Sequence, residues 1–236
     1  MTAVKGLSPL AHLVDHLNKL TDRTEPVFGV VVHQTGSGIV DEAIKKKKDP
    51  LEYAVAYYQK PDSYSPHYVV GYDGTIIQIA DEHGKAQHVG FASEDRAAYL
   101  DGTWEAKLPV DLVKLWHEKW TKKSPAHLFP GPSVNNVYVG IEMIPIVNGN
   151  APVWFGKGRY TLKQHQAIVD LSRDISERWS FPSGWQRSGR LVGHEDVNPI
   201  QRHVKSGGWD PGALRREPWF DFEWVRKRIE EKTLVG

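Results

Sequence analysis

Val27-Phe28-Gly29-Val30-Val31-Val32-His33-Gln34-Thr35 is an apolar, valine-rich run, too short for a helix and closed by the turn-prone Thr35-Gly36-Ser37-Gly38. It predicts a buried central strand. A strand with no polar face must be covered from both sides, so the chain is expected to form a sheet flanked by helices. Other segments extend that sheet. Ser65 to Gln78 reads as a hairpin around a two-residue Asp73-Gly74 turn. Val137 to Ile144 alternates with period two, and Arg190 to Gly193 forms another short strand. Thr161 with Gln164 makes a capping box that opens a helix, with Ile168, Leu171, Ile175 and Trp179 as its core stripe. Strands pairing both ways between helices predict an α/β fold built on a single mixed β-sheet.

Ser8 and Pro9 resemble a helix start, and Leu10, Leu13, Val14, Leu17 and Leu20 recur at helical spacing. Residues 1–25 are therefore expected to be an amphipathic helical extension docked on a domain spanning 26–236. Lys45 to Lys48 is the one charge run, read as a solvated helix end. A stretch from about 91 to 134, with mixed charge and tryptophans, reads as an insertion that shapes a groove. At 236 residues and 40% hydrophobic, the chain can bury the core of one large domain, and a monomer is expected.

The net charge of +1 argues against a nucleic-acid partner, which calls for a strongly basic face. Without cysteine there is no disulfide framework and no thiol nucleophile, so any metal must be held by His, Asp or Glu. No run approaches the roughly 20 apolar residues of a membrane span, and no secretory stretch opens the sequence. Synthesis in the cytoplasm without a signal peptide is the expectation.

His33 and His194 each stand where a strand runs out into a loop, the position at which open α/β sheets place their sites. Asp210 follows 16 residues after His194, in Gly-Trp-Asp-Pro-Gly, where a turn can aim its carboxylate. Two imidazoles and a carboxylate suit a zinc ion with one position left open, the pattern of a hydrolytic site. Glu142 lies in an apolar strand, sharing a face with Tyr138 and Gly140. Its charge needs a partner, a metal or water, and a salt-bridged or edge-strand residue is the alternative.

These residues, in order, resemble the zinc N-acetylmuramoyl-L-alanine amidases, the phage-type and recycling enzymes related to peptidoglycan recognition proteins. The likeness runs through the strand ending in His33, the 65–78 hairpin, Gln87-His88-Val89-Gly90, Asn135 to Glu142, Tyr160 to Gln166, Gly193 to Pro199 and Asp210-Pro211-Gly212. It covers roughly 26–225 and implies a peptidoglycan-recognition-like fold and cleavage of the amide between N-acetylmuramic acid and L-alanine. His33, His194 and Asp210 would then hold Zn²⁺, Glu142 would be the general base and His88 would line the substrate groove. Many relatives carry a lysine two positions before the aspartate, where this chain has Gly208. Lys205 is the first choice for the second catalytic cation, ahead of Arg202 and His203. A phage endolysin that reaches the wall after holin-type release or lysis is the expected setting. The alternatives are a recycling amidase, a muropeptide-binding module without catalysis, and a zinc peptidase cutting within the stem peptide.

Overall fold

The computed structural model describes residues 6–18, 20–60, 63–90, 92–120, 124–128, 133–147, 159–202, 210–212 and 219–233. In chain order these form β1 (His12–Asn18), β2 (Gly29–Gln34), α1 (Ser37–Lys45), α2 (Pro50–Tyr58), β3 (Tyr68–Val70) and β4 (Ile76–Ala80). Next come α3 (Ser93–Asp101), α4 (Val110–Lys119), α5 (Val134–Val137), β5 (Tyr138–Met143), α6 (Leu162–Arg178), β6 (Leu191–Gly193), α7 (His194–Val197) and α8 (Phe222–Thr233). The strands make one mixed sheet in the order β1-β4-β3-β5-β2-β6. Only β3 against β4 is antiparallel, and every other neighbouring pair is parallel.

Alternation along the strands divides the core into layers. Val30, Val32, Val139 and Ile141 face a cluster with Ile168, Leu171 and Ile175 of α6 and Val225 and Ile229 of α8. Val31, Tyr138 and Val192 point the other way, onto Trp104, Trp116 and Trp120 of the 91–134 segment. The valine run is thus covered on both faces, as its composition requires. Thr161 and Gln164 form the expected reciprocal cap of α6, and Lys45 to Lys48 end α1 in solvent.

The insertion does a more specific job than lining a groove. Trp116 Nε1 donates to the Asp196 carbonyl at 3.1 Å and Trp120 Nε1 to its Oδ1 at 3.0 Å, while Lys119 Nζ approaches Oδ2 at 2.7 Å. Asp196 Oδ2 also accepts from Gly193 N at 2.8 Å. These bonds on one buried carboxylate and its carbonyl hold α7, and with it the backbone that presents His194.

Two local expectations are corrected. The hairpin connection runs over 71–75, longer than the two-residue turn, with Gly74 at φ +85° and Asp73 Oδ1 accepting from Thr75 N at 2.9 Å. Residues 12–18 are a strand and not part of an amphipathic helix: His12 pairs with Ile77, Leu13 with Gln78 and Asn18 with Ala80. The outer edge of β4 offers unpaired backbone groups, and a parallel strand satisfies them, whereas a short helix alone is marginal in water. Ser8 does not cap a helix. Its N–H donates to Gln78 Oε1 at 3.0 Å and its hydroxyl to Asp174 Oδ2 at 2.6 Å, tying this segment to β4 and α6.

Candidate metal centre

Register brings the site together. Across β2 and β5 His33 lies opposite Glu142, and across β2 and β6 Val32 lies opposite Gly193, so His194 emerges beside His33 at the carboxyl ends of three adjacent parallel strands. Asp210 is brought in by the neighbours of both histidines. Gln34 N donates to its Oδ1, Glu195 N donates to its carbonyl at 3.1 Å, and Asp210 N donates to Glu195 Oε2 at 3.1 Å. With Oδ1 so engaged, Oδ2 turns to the imidazoles.

His194 Nδ1 stands 3.0 Å from Asp210 Oδ2 and 3.1 Å from His33 Nδ1, and His33 Nδ1 stands 3.5 Å from Oδ2. All three residues are buried, and together they are a group able to hold a metal ion. Their spacing suits one, since ligands about 2.0–2.1 Å from a tetrahedral zinc lie about 3.3 Å apart. Their protonation suits one as well. Burial, reinforced by Arg202, pushes His194 down to about 3, leaving it neutral. Burial opposes ionisation of Asp210, but the two imidazoles outweigh it and hold the carboxyl below its usual range. Two imidazole nitrogens and a carboxylate oxygen thus converge, and His194 Nε2 is buried with no hydrogen-bond partner among the described residues.

Glu142 is 9% exposed, and its Oε2 has no hydrogen-bond partner among the described residues. Burial pushes its carboxyl up to about 7, with His33 opposing the shift and Asp210 adding to it. It has no salt bridge among the described residues and is not at a sheet edge, since β5 lies between β3 and β2. Arg202 reaches the site, with Nη1 3.4 Å from Asp210 Oδ2. Lys205, His203 and Gly208 lie outside the described residues.

His88 packs on the sheet beside His33. It is 7% exposed, lies against Gly140 and has both ring nitrogens within reach of protein atoms: Nδ1 is 2.9 Å from His33 Nε2, and Nε2 is 3.3 Å from the Tyr138 carbonyl. His67 is structural, accepting from Gly140 N at 3.0 Å and lying 3.1 Å from the Gly84 carbonyl.

Three contributors escaped sequence reasoning. Glu195 clamps Asp210, and its only signal was its place directly after His194. Thr35, whose Oγ1 is buried with no hydrogen-bond partner among the described residues, follows His33 by two and so shares its face. Tyr58, from α2, has its phenol pushed up by burial and by the nearby charge of Glu142, and nothing in its local sequence announces this.

The solved structures similar to this chain have low identity to it. A crystal structure of an AmpD derivative matches with TM-score 0.51 and 17% identity over 97% of this chain and 98% of its own, a likeness of fold. The endolysin amidase LysCS of Clostridium intestinale URNW matches with TM-score 0.44 and 15% identity over 95% and 98%. AmpDh3 of Pseudomonas aeruginosa, solved with an anhydromuramic pentapeptide, matches with TM-score 0.44 and 17% identity over 90% and 65%. No curated protein matches in sequence. The family profile described as N-acetylmuramoyl-L-alanine amidase matches residues 23–213, most of the chain and every site residue placed above. The protein belongs to the N-acetylmuramoyl-L-alanine amidase family.

Proposed function

We propose that this amidase is zinc-dependent, that His33, His194 and Asp210 hold the ion, and that Glu142 is its general base. The convergence of two imidazole nitrogens and a carboxylate oxygen within 3.0–3.5 Å carries the reading. Three protein ligands leave a position for reactants, as a catalytic zinc requires. When bound, zinc supplies Lewis acidity toward water and toward the amide carbonyl.

The chain's own residues carry the proton. Glu142 takes it from the attacking water as the water oxygen bonds to the lactyl carbonyl carbon. It returns the proton to the L-alanine nitrogen as the C–N bond breaks, giving a free carboxylate on the muramic acid and a free amine on the peptide. A carboxyl poised at about 7 can both accept and donate near neutral pH. The negative charge developing on the carbonyl oxygen calls for a cation. Arg202 stands beside Asp210, and Lys205 is the other candidate, so Arg202→Ala and Lys205→Ala assayed side by side assign the role.

Purified protein is expected to hold about one zinc per chain, and to lose it in His33→Ala and in Asp210→Ala. Stoichiometric zinc in both variants would overturn the ligand assignment. The product identifies the bond: mass spectrometry of digested peptidoglycan should show stem peptides with free L-alanine amino termini and no new reducing sugar. Internally cut stems still attached to muramic acid would make it a peptidase.

The proposed setting is a phage endolysin acting as a monomer on the wall after holin-type release or lysis. The chain's size and its 91–134 insertion incline the reading that way. Faster hydrolysis of intact sacculi than of soluble anhydromuropeptides supports it, and the reverse preference would assign a recycling role.

A further inference from the structure

We infer that His88 is a positioning residue for the metal centre: it fixes the tautomer of His33 so that His33 Nδ1 presents a lone pair to the ion. The inference rests on the zinc reading above and follows from the direction of two hydrogen bonds.

The Tyr138 carbonyl can only accept, so His88 Nε2, 3.3 Å away, carries its proton and donates. A neutral imidazole has one N–H, so His88 Nδ1 is the acceptor. It faces His33 Nε2 at 2.9 Å, which must then be the donor. His33 Nδ1 is left without a proton, aimed at His194 Nδ1 and Asp210 Oδ2. A backbone carbonyl of β5 thus sets, through two rings, which nitrogen of His33 binds metal.

The surroundings hold this relay in place. The His88 ring lies directly on the sheet at Gly140, where an added Cβ would come 2.4 Å from its Cγ. Asn135 fixes the backbone beneath the ring: its Oδ1 accepts from Val89 N at 2.8 Å and its Nδ2 donates to the Val89 carbonyl at 2.9 Å. The rings of His88 and His33 meet edge to face, with centroids 5.0 Å apart. A metal-binding histidine commonly donates its second nitrogen to a carbonyl, a carboxylate or water, and loss of that partner weakens metal binding about 10- to 100-fold. Here the partner is another imidazole, whose own tautomer is set from the sheet.

The test measures zinc affinity by chelator competition on the whole, metal-stripped protein. His88→Phe keeps a ring and removes both nitrogens, and is expected to weaken zinc binding about 10- to 100-fold while KM at saturating zinc stays unchanged. His88→Gln, whose amide oxygen can accept from His33 Nε2, should recover part of that loss. Unchanged zinc affinity in folded His88→Phe, or a raised KM at full zinc affinity, would overturn the inference, the latter in favour of substrate contact. Should His88→Phe not fold, nitrogen NMR of the zinc-loaded wild type decides: the inference requires a protonated His33 Nε2, and a protonated Nδ1 overturns it. A wild type that takes up no zinc would fail earlier, at the metal reading itself.

Discussion

Glu82 and Glu142 are both buried, and the protein treats them in opposite ways. Glu82, wholly buried next to β4, has both oxygens saturated. Oε1 accepts from Tyr68 at 2.6 Å and Arg178 Nη2 at 2.9 Å, and Oε2 from Arg178 Nη1 and Trp179 Nε1, each at 2.5 Å. Glu142, at the carboxyl end of β5, keeps an oxygen with no hydrogen-bond partner among the described residues, and burial pushes its carboxyl up to about 7. A buried charge kept for structure is paired to completion, because incomplete pairing costs several kcal/mol. One left incomplete, as in the proposed general base, suits a group that exchanges a proton.

The comparison breaks most visibly by neutralising each carboxylate in turn. Glu82→Gln is expected to cost about 3–5 kcal/mol of stability by removing the charge that Arg178 faces, while activity per folded molecule is retained. Chemical unfolding together with an assay on the folded fraction checks both halves. Glu142→Gln should do the converse, keeping fold and metal but lowering turnover by about 10², or roughly 2.7 kcal/mol on the barrier. Near-normal turnover in the metallated variant would remove Glu142 from the chemistry.

A pH series sharpens the contrast in the metal-free protein. In the folded chain Glu142 titrates at about 7 against an ordinary value of 4.5. Its folded pKa is raised, so its contribution is fully present below pH 4.5 and is lost as pH rises through about 7. Glu142→Gln cannot ionise and lacks that loss. The metal-free variant should therefore match the wild type near pH 4.5 and exceed it at pH 8 by roughly 3 kcal/mol. His194 runs the other way, with its folded value lowered from 6.5 to about 3, so stability present above 6.5 is lost as pH falls. That term is common to both proteins and drops out of their difference. Equal stabilities at pH 8 would show that burial does not strain the Glu142 carboxylate.

What could be read from the sequence follows how local its physics is. The valine run needs cover on both faces, period two places Glu142 on the face of Gly140, and strand ends place His33 and His194, so the centre of the sheet and both candidate imidazole ligands were accessible. Asp210 was accessible as a residue, but its aim comes from Glu195 and Gln34, which are contacts of the folded chain. The contact of His88 with His33 was not legible, because a motif shows that a residue sits near a site and not which neighbours its ring meets. Tyr58 reaches Glu142 from a helix far along the chain from β5. The amino-terminal strand was misread because its leucines fit helical spacing, while the deciding influence, the open edge of β4, is supplied by residues some 60 positions away.

That misreading gives the smallest test, set at the outer edge of the sheet. Leu13 is 52% exposed and pairs with Gln78, so its side chain contributes little burial and its backbone contributes a place in the ladder. Threonine suits an exposed strand position better than a helical one, because its branched side chain is stiff at χ1. Leu13→Thr should therefore leave stability unchanged or raise it by a few tenths of a kcal/mol, with no effect on turnover. In a helix the same change would lower stability by about 0.5 kcal/mol through propensity alone. Chemical unfolding of wild type and variant in parallel separates the two, and a clear loss would return residues 12–18 to a helix.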